Sequence, residues 1–175
     1  MTTLALPSAA GLVPPPGRAL PPRPPARRPA PAVLPALRSP RALASWRADI
    51  NRVALARFTG GDLPVVLYAL TGPGGDPHDD LAAAQGYADT HRLLVVDRIV
   101  DFLSAGDQAC ADDPELRRGY ARALHRMGDP ASPAHGVVAI SQTAVTPVGR
   151  IYEAQLALYA TRGTALHLVR GETEI

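Results

Sequence analysis

This sequence predicts an α/β fold: a three-layer sandwich around a mainly parallel four-stranded sheet, preceded by one amphipathic helix and a disordered tail. Three observations predict it. Short apolar runs rich in β-formers recur at residues 64–70, 93–102, 136–141 and 165–170. Segments with helical spacing of apolar residues separate them, the pattern of a parallel sheet covered on both faces. The first 39 residues are low in complexity, running PPPGRALPPRPPARRPAPAVLPALR through their second half. Proline fixes φ and lacks a backbone donor, so that stretch supports neither helix nor ladder.

Taken in order, residues 1–39 read as a tail with polyproline II character, holding too few large apolar residues to offset the entropy of ordering. It is a solvated tail, a ligand for a proline-reading groove, or a contact for nucleic-acid phosphate. Ser39-Pro40 is a helix start, a capping hydroxyl followed by proline at the first helical position. Leu43, Trp46, Ile50, Val53 and Phe58 follow at helical spacing, giving an amphipathic helix over residues 40–59 that Gly60-Gly61 ends. Residues 60–175 form the α/β domain. PVVLYAL is its first strand, and residues 78–92 a helix with Leu81, Ala84, Ala88 and His91 on one side. LLVVDRIVDF is the second strand, and a polar loop follows it. Asp113-Pro114 opens a helix carrying Leu116, Tyr120, Ala123, Leu124 and Met127, stopped by Gly128. GVVAIS is the third strand; Pro147 opens a last helix with Ile151, Ala154, Leu158 and Tyr159, stopped by Gly163; ALHLVR is the fourth strand. Right-handed crossovers make this flavodoxin-like or a related sandwich. There is no repeat with a period of about 20–50 residues.

Charge divides the chain. Residues 1–57 carry nine Arg against the single acid Asp49, or +8; residues 58–175 carry nine Arg against fifteen acids, or −6; together they give the net +2. The basic character belongs to the N-terminal third, where Arg41, Arg47, Arg52 and Arg57 are candidates for a weak nucleic-acid contact. There is no lysine. The lone Cys110 cannot form an intramolecular disulfide, which fits a reducing compartment. No apolar run reaches the ~18 residues a membrane span needs, and the proline-broken start makes a poor secretory signal. A cytoplasmic protein without membrane contact is expected.

In an open parallel sheet, ligands bind beyond the carboxyl ends of the strands. Those ends supply Tyr68, Thr71, Asp101, Ser104, Ser141, Thr143 and Arg170, a candidate strand-end pocket. Gly72, Gly74 and Gly75 could admit a phosphate to backbone amides, but neither GxxxxGK[ST] nor GxGxxG is present, and Asp76, Asp79 and Asp80 would repel an anion. Those acids, and Asp112-Asp113, read as helix caps rather than metal ligands. Ser141 lacks a nucleophile elbow and a base at useful spacing. His135 and His167 read as packed or solvated side chains. No metal or cofactor is expected.

From residue 64 to the end, element order, spacing and apolar pattern resemble the catalytic domain of serine recombinases, the resolvase/invertase family. In that family the first strand ends Tyr-x-Arg-Val-Ser, where Ser attacks DNA phosphate and Arg stabilises it. The matching stretch is Tyr68-Ala69-Leu70-Thr71-Gly72. A family segment Asp-x-x-Ser-Gly, then Arg-Pro and a helix, resembles Asp101-Phe102-Leu103-Ser104-Ala105-Gly106 through Asp113-Pro114-Glu115-Leu116, with Asp113 at the arginine. The family's Asp-Arg-Leu-x-Arg falls on Thr143-Ala144-Val145-Thr146-Pro147. The resemblance implies a resolvase-like scaffold without the family's nucleophile and arginines, hence no catalytic residue. The expected role is a non-catalytic interaction or regulatory module with an unidentified protein partner, DNA-associated through its basic N-terminal region. The alternative is a small enzyme or ligand-binding protein using the strand-end pocket.

Overall fold

A computed structural model describes residues 38–129, 131 and 134–172. Of the expected tail, residues 1–39, all but Arg38 and Ser39 lie outside the described residues. The sheet among the described residues has four strands: β1 (Leu63–Thr71), β2 (Leu93–Phe102), β3 (Gly136–Ala139) and β4 (Ala165–Leu168). Their order is β2-β1-β3-β4 and every pairing is parallel. β1 is central and buried on both faces, which explains its unbroken apolar run.

Side chains alternate between two cores. Val66 and Tyr68 join Val137, Ala139, Leu166 and Leu168 in one. Leu63, Val65 and Leu67 join Val138 and Ala165 in the other. The second core is closed by helix α2 (His78–Thr90), whose Ala84 and Ala88 let it approach the sheet closely. The first is closed by α4 (Arg118–Gly128) and α6 (Gly149–Arg162), the latter ended by Gly163 in the left-handed conformation, φ 67°.

Two helices depart from the sequence expectation. The helix expected from Asp113-Pro114 to Gly128 is broken: a 3₁₀ turn covers Pro114–Leu116, and Arg117 is extended before α4 begins. The expected polar loop ahead of it contains a short helix, α3 (Gln108–Asp112). Another, α5 (Gln142–Val145), precedes α6, which starts at Gly149 rather than at Pro147. α6 buries Tyr152, Gln155, Leu156 and Tyr159 rather than Ala154 and Leu158. Its polar groups are buried because other elements satisfy them. The Tyr120 hydroxyl lies 3.2 Å from that of Tyr159 and donates to Gln155 at 3.3 Å; Gln155 in turn donates to Glu115 at 3.0 Å.

Helix α1 (Pro40–Arg57) is started by Ser39, whose hydroxyl accepts from the Ala42 amide, and stops at Phe58, ahead of Gly60-Gly61. Its buried face is Leu43, Ile50, Asn51 and Ala54, and Val53 points outward. Asn51 sets this orientation. In a parallel ladder the amide and carbonyl of one residue point the same way. Ala165 and Val169 donate to β3 or its ends, at His135 and Ala139. Leu166 therefore faces the open edge. The Asn51 amide closes it, donating to Leu166 O at 2.8 Å and accepting from Leu166 N at 2.9 Å. A helix side chain thus takes the place of a neighbouring strand. The opposite edge, β2, carries a bulge: Val65 pairs with Val95 but Val66 with Asp97. Asp97 there accepts from Arg122 at 3.2 Å and Arg126 at 2.6 Å.

Asn51→Ala would strand two buried backbone groups of Leu166 and lower stability by roughly 2–4 kcal/mol. Val53→Ala, on the exposed side, should cost no more than about 0.5 kcal/mol. Urea unfolding of the two variants measures the difference, and equal costs would refute this orientation of α1.

Candidate functional site

At the carboxyl ends of β1 and β2 a polar knot joins Tyr68, Asp101 and Arg117. Asp101, next to last in β2, is half-buried. Its Oδ1 accepts from the Gly119 amide at 2.8 Å, and its Oδ2 from the Tyr120 amide at 2.8 Å and the Tyr68 hydroxyl at 3.0 Å. The carboxylate therefore caps the N-terminus of α4, where backbone donors and the helix dipole favour negative charge. Position 119 must be glycine for this approach: a Cβ there would lie 2.7 Å from Asp101 Oδ2.

Arg117 is 3 % exposed. Its Nε donates to the Cys110 carbonyl, Nη1 to the Ala144 carbonyl at 2.9 Å and the Tyr68 hydroxyl at 3.2 Å, and Nη2 to the Ala111 carbonyl. A guanidinium has five N–H donors, so these four bonds leave little for a ligand. They also satisfy carbonyls of the short helices α3 and α5. Tyr68 is 1 % exposed and packs edge-on against Tyr120, centroids 5.1 Å apart. Burial holds its phenol well above the ordinary value, against the opposing influence of Arg117.

An open cleft of about 250 Å³ lies outside this knot, lined by Asp101, Phe102, Leu103, Asp107, Cys110, Leu116, Arg117 and Arg118. Asp107 caps α3, accepting from the Cys110 amide at 3.3 Å. The Asp107 carboxylate beside the Cys110 thiol, with burial adding to it, raises the thiol pKa and disfavours the reactive thiolate.

The seven residues expected to share one pocket divide into separate places. Tyr68 and Asp101 are bonded to each other, and Asp101 alone of the seven lines the cleft. Ser141 and Thr143 pair at 2.8 Å between their hydroxyls. Thr71 is buried, and its carbonyl accepts from Leu103 N at 2.9 Å. Ser104 is exposed, its carbonyl accepting from the Asp107 amide. Arg170 is exposed, with its guanidinium 3.9 Å from Asp80. Of the seven, Asp101 caps α4, Ser141 and Thr143 bond each other, and Ser104 and Arg170 stay exposed.

Among the basic candidates, Arg41, Arg52 and Arg57 are exposed, with Arg52 bonded to Asp49. Arg47 is not free for nucleic acid. It grips Glu172 with both ends of its guanidinium, at 2.6 and 3.0 Å, and Tyr152 donates to the same carboxylate at 2.8 Å. Burial opposes the charge on Glu172, but the bonds from Arg47 and Tyr152 outweigh it and lower its pKa. His167, read from the sequence as packed or solvated, is buried. Its Nδ1 lies 3.4 Å from the Tyr87 hydroxyl, and its Nε2 has no hydrogen-bond partner among the described residues. Burial, then Arg47 and His91, bring its pKa down to about 4.

Sequence reasoning missed Arg117 and Asn51. Arg117 sits in a run that reads as an ordinary helix surface; the only trace is Gly119-Tyr120 just beyond it, a small residue where the chain must approach a carboxylate. Asn51 stands among arginines and alanines, and its partner is backbone, which leaves no mark on composition.

No family model matches this sequence, and no curated protein matches it. Solved structures do. The C-terminal catalytic domain of ISC1926 TnpA, an IS607-like serine recombinase, superposes with a TM-score of 0.51 at 19 % identity, over 62 % of this chain and 72 % of that one. The N-terminal catalytic domain of TP901-1 integrase superposes with a TM-score of 0.51 at 12 % identity, over 61 % of this chain and 76 % of that one. The described chain has the fold of a serine recombinase catalytic domain.

His167 gives the fold a pH dependence. Its pKa of about 4 lies below the ordinary value of 6.5, so the unfolded chain binds its proton first as pH falls. Its stabilisation is complete above pH 6.5 and is lost as pH drops toward about 4, up to about 3 kcal/mol. Thermal unfolding across that range should show the loss, and His167→Leu should flatten it. Glu172, with its pKa lowered, contributes its own loss below the ordinary carboxylate value, so some slope survives there in the variant. An unchanged slope between pH 6.5 and 5 in His167→Leu would refute the assignment.

Proposed function

We propose that this chain is a non-catalytic interaction or regulatory module on a recombinase-type scaffold, a cytoplasmic protein associated with DNA through its basic N-terminal region. The observation that carries the reading is the internal commitment of the polar knot. Phosphoryl transfer needs a nucleophile and free positive charge on the non-bridging oxygens. The end of β1 offers the half-buried Leu70 and the side-chain-free Gly72. The cation beside Tyr68 and Asp101, Arg117, is bonded to three carbonyls and a phenol. Asp107 on the adjoining cleft opposes an anionic substrate.

DNA association rests on the exposed Arg41, Arg52 and Arg57 and on the +8 balance of residues 1–57. Because Asn51 and Arg47 fasten α1 to the sheet and to Glu172, these arginines are tested by substitution rather than by deletion.

Incubation with supercoiled plasmid should give no covalent protein–DNA adduct and no cleavage, and Gly72→Ser alone should not restore either. An adduct with the natural protein would overturn the reading, and its mapped residue would identify the nucleophile. Binding to duplex DNA should weaken steeply with salt, and Arg41→Gln/Arg57→Gln should reduce it further; salt-independent binding would exclude a phosphate contact.

A further inference from the structure

The cleft outside the polar knot has a chemistry that the proposed role leaves unspecified. Phe102, the last residue of β2, is 67 % exposed, and Leu116, in the 3₁₀ turn, is 57 % exposed. Both line the cleft, with Leu103 beside them. They are two of the five large apolar side chains left exposed among the described residues. Exposed apolar groups gathered on one concavity mark a contact surface more strongly than the same groups scattered singly.

The charge around them is mainly acidic. Between Arg98 and Arg117 the chain carries Asp101, Asp107, Asp112, Asp113 and Glu115 and no basic residue. Asp101 and Asp107 line the cleft; Asp112 ends α3, and Asp113 and Glu115 adjoin Leu116. Asp101 is consumed by three donors. Among the described residues the other four accept only uncharged donors: backbone amides at Asp107 and Asp113, the Gln108 amide at Asp112 and the Gln155 amide at Glu115. None of these is a neutralising cation. Of the two arginines on the cleft, Arg117 is buried and bonded inward, leaving Arg118 as the exposed one. Such a surface disfavours a nucleic-acid backbone and favours a cation bearing an apolar anchor.

We propose that this cleft docks an arginine-rich peptide segment of a partner protein, with an aliphatic side chain seated between Phe102 and Leu116 and guanidinium groups over Phe102 and toward Asp107, Asp112 and Asp113. The apolar anchor supplies affinity, and the carboxylates supply orientation and rate of encounter. This rests on the interaction-module reading and names the partner class that such a module would take.

The test uses the full chain and a fluorescein-labelled peptide of repeating Arg-Arg-Leu, followed by fluorescence anisotropy. Saturable binding is expected, weakened about tenfold or more by Phe102→Ser/Leu116→Ser. Asp107→Asn/Asp112→Asn/Asp113→Asn should also weaken it and flatten its salt dependence, since asparagine keeps the caps and removes the charge. A matching Glu-Glu-Leu peptide should not bind. A benzophenone-bearing form of the basic peptide, photolysed on the unaltered protein, should label residues 102–118, a readout independent of any variant's folding. Labelling elsewhere would overturn the proposal, as would binding unchanged in both variants. So would single-stranded oligonucleotide binding or self-association that Phe102→Ser/Leu116→Ser abolishes, since the occupant would then be nucleic acid or a second copy. Failure here with no plasmid adduct removes only this partner; an adduct removes the interaction-module reading itself.

Discussion

The structure depends on a buried guanidinium that has no ion-pair partner among the described residues. Arg117 bonds the Tyr68 hydroxyl and the carbonyls of Cys110, Ala111 and Ala144, while Tyr68 reaches Asp101 and Asp101 holds the first amides of α4. One cation, one phenol and one carboxylate thereby join β1, β2, α3, α4 and α5. Each group satisfies backbone that would otherwise be buried without a partner, the costlier outcome. Removing Arg117 would leave a phenol and three carbonyls without donors. Arg117 also explains the extended residue that breaks the helix: its backbone must turn so that its side chain can run inward.

The two sheet edges are closed by different physics. At β4 the closure is a side-chain amide, Asn51, which supplies one donor and one acceptor in the spacing of a strand's own peptide group. At β2 a bulge and a charged pair, Asp97 and Arg98, spoil the edge as a template for strand addition. α1 is held again at its other contact by Arg47, whose bidentate grip on Glu172 also fixes the chain beyond β4. The helix that carries the basic residues is thus part of the folded body, which places Arg41, Arg52 and Arg57 on its outer side and withdraws Arg47 from it.

On this scaffold the strand ends, where an open α/β sheet ordinarily meets its ligand, are arranged for cohesion. Asp101 caps α4 and bonds Tyr68, and Ser141 bonds Thr143. The cleft that remains outward there is mainly acidic and apolar, with Arg118 its one exposed base among the described residues, while Arg41, Arg52 and Arg57 lie on α1. The proposed roles follow from that separation: phosphate contacts belong to the arginine side, and a cationic peptide fits the strand-end side.

The sequence by itself determined the order and type of the principal elements, because apolar periodicity records whether one or both faces of a segment are covered. LLVVDRIVDF is β2 without adjustment, and Gly163 ends α6 as its position implies. Leu70 and Gly72 at the end of the first strand were also legible, since identity at a strand end needs no coordinates. Tertiary structure alone decided which way the helices turn and which polar residues are interior. α6 buries Gln155 and two tyrosines, and α1 buries Asn51 in preference to Val53, because partners for their polar atoms arrive from distant segments. Local pattern counts an uncharged polar residue as exposed. Whether it is depends on a donor or acceptor about 40 residues away for Gln155, and 115 away for Asn51. The same reason hid Arg117, whose burial is favourable only once three carbonyls and a phenol converge on it.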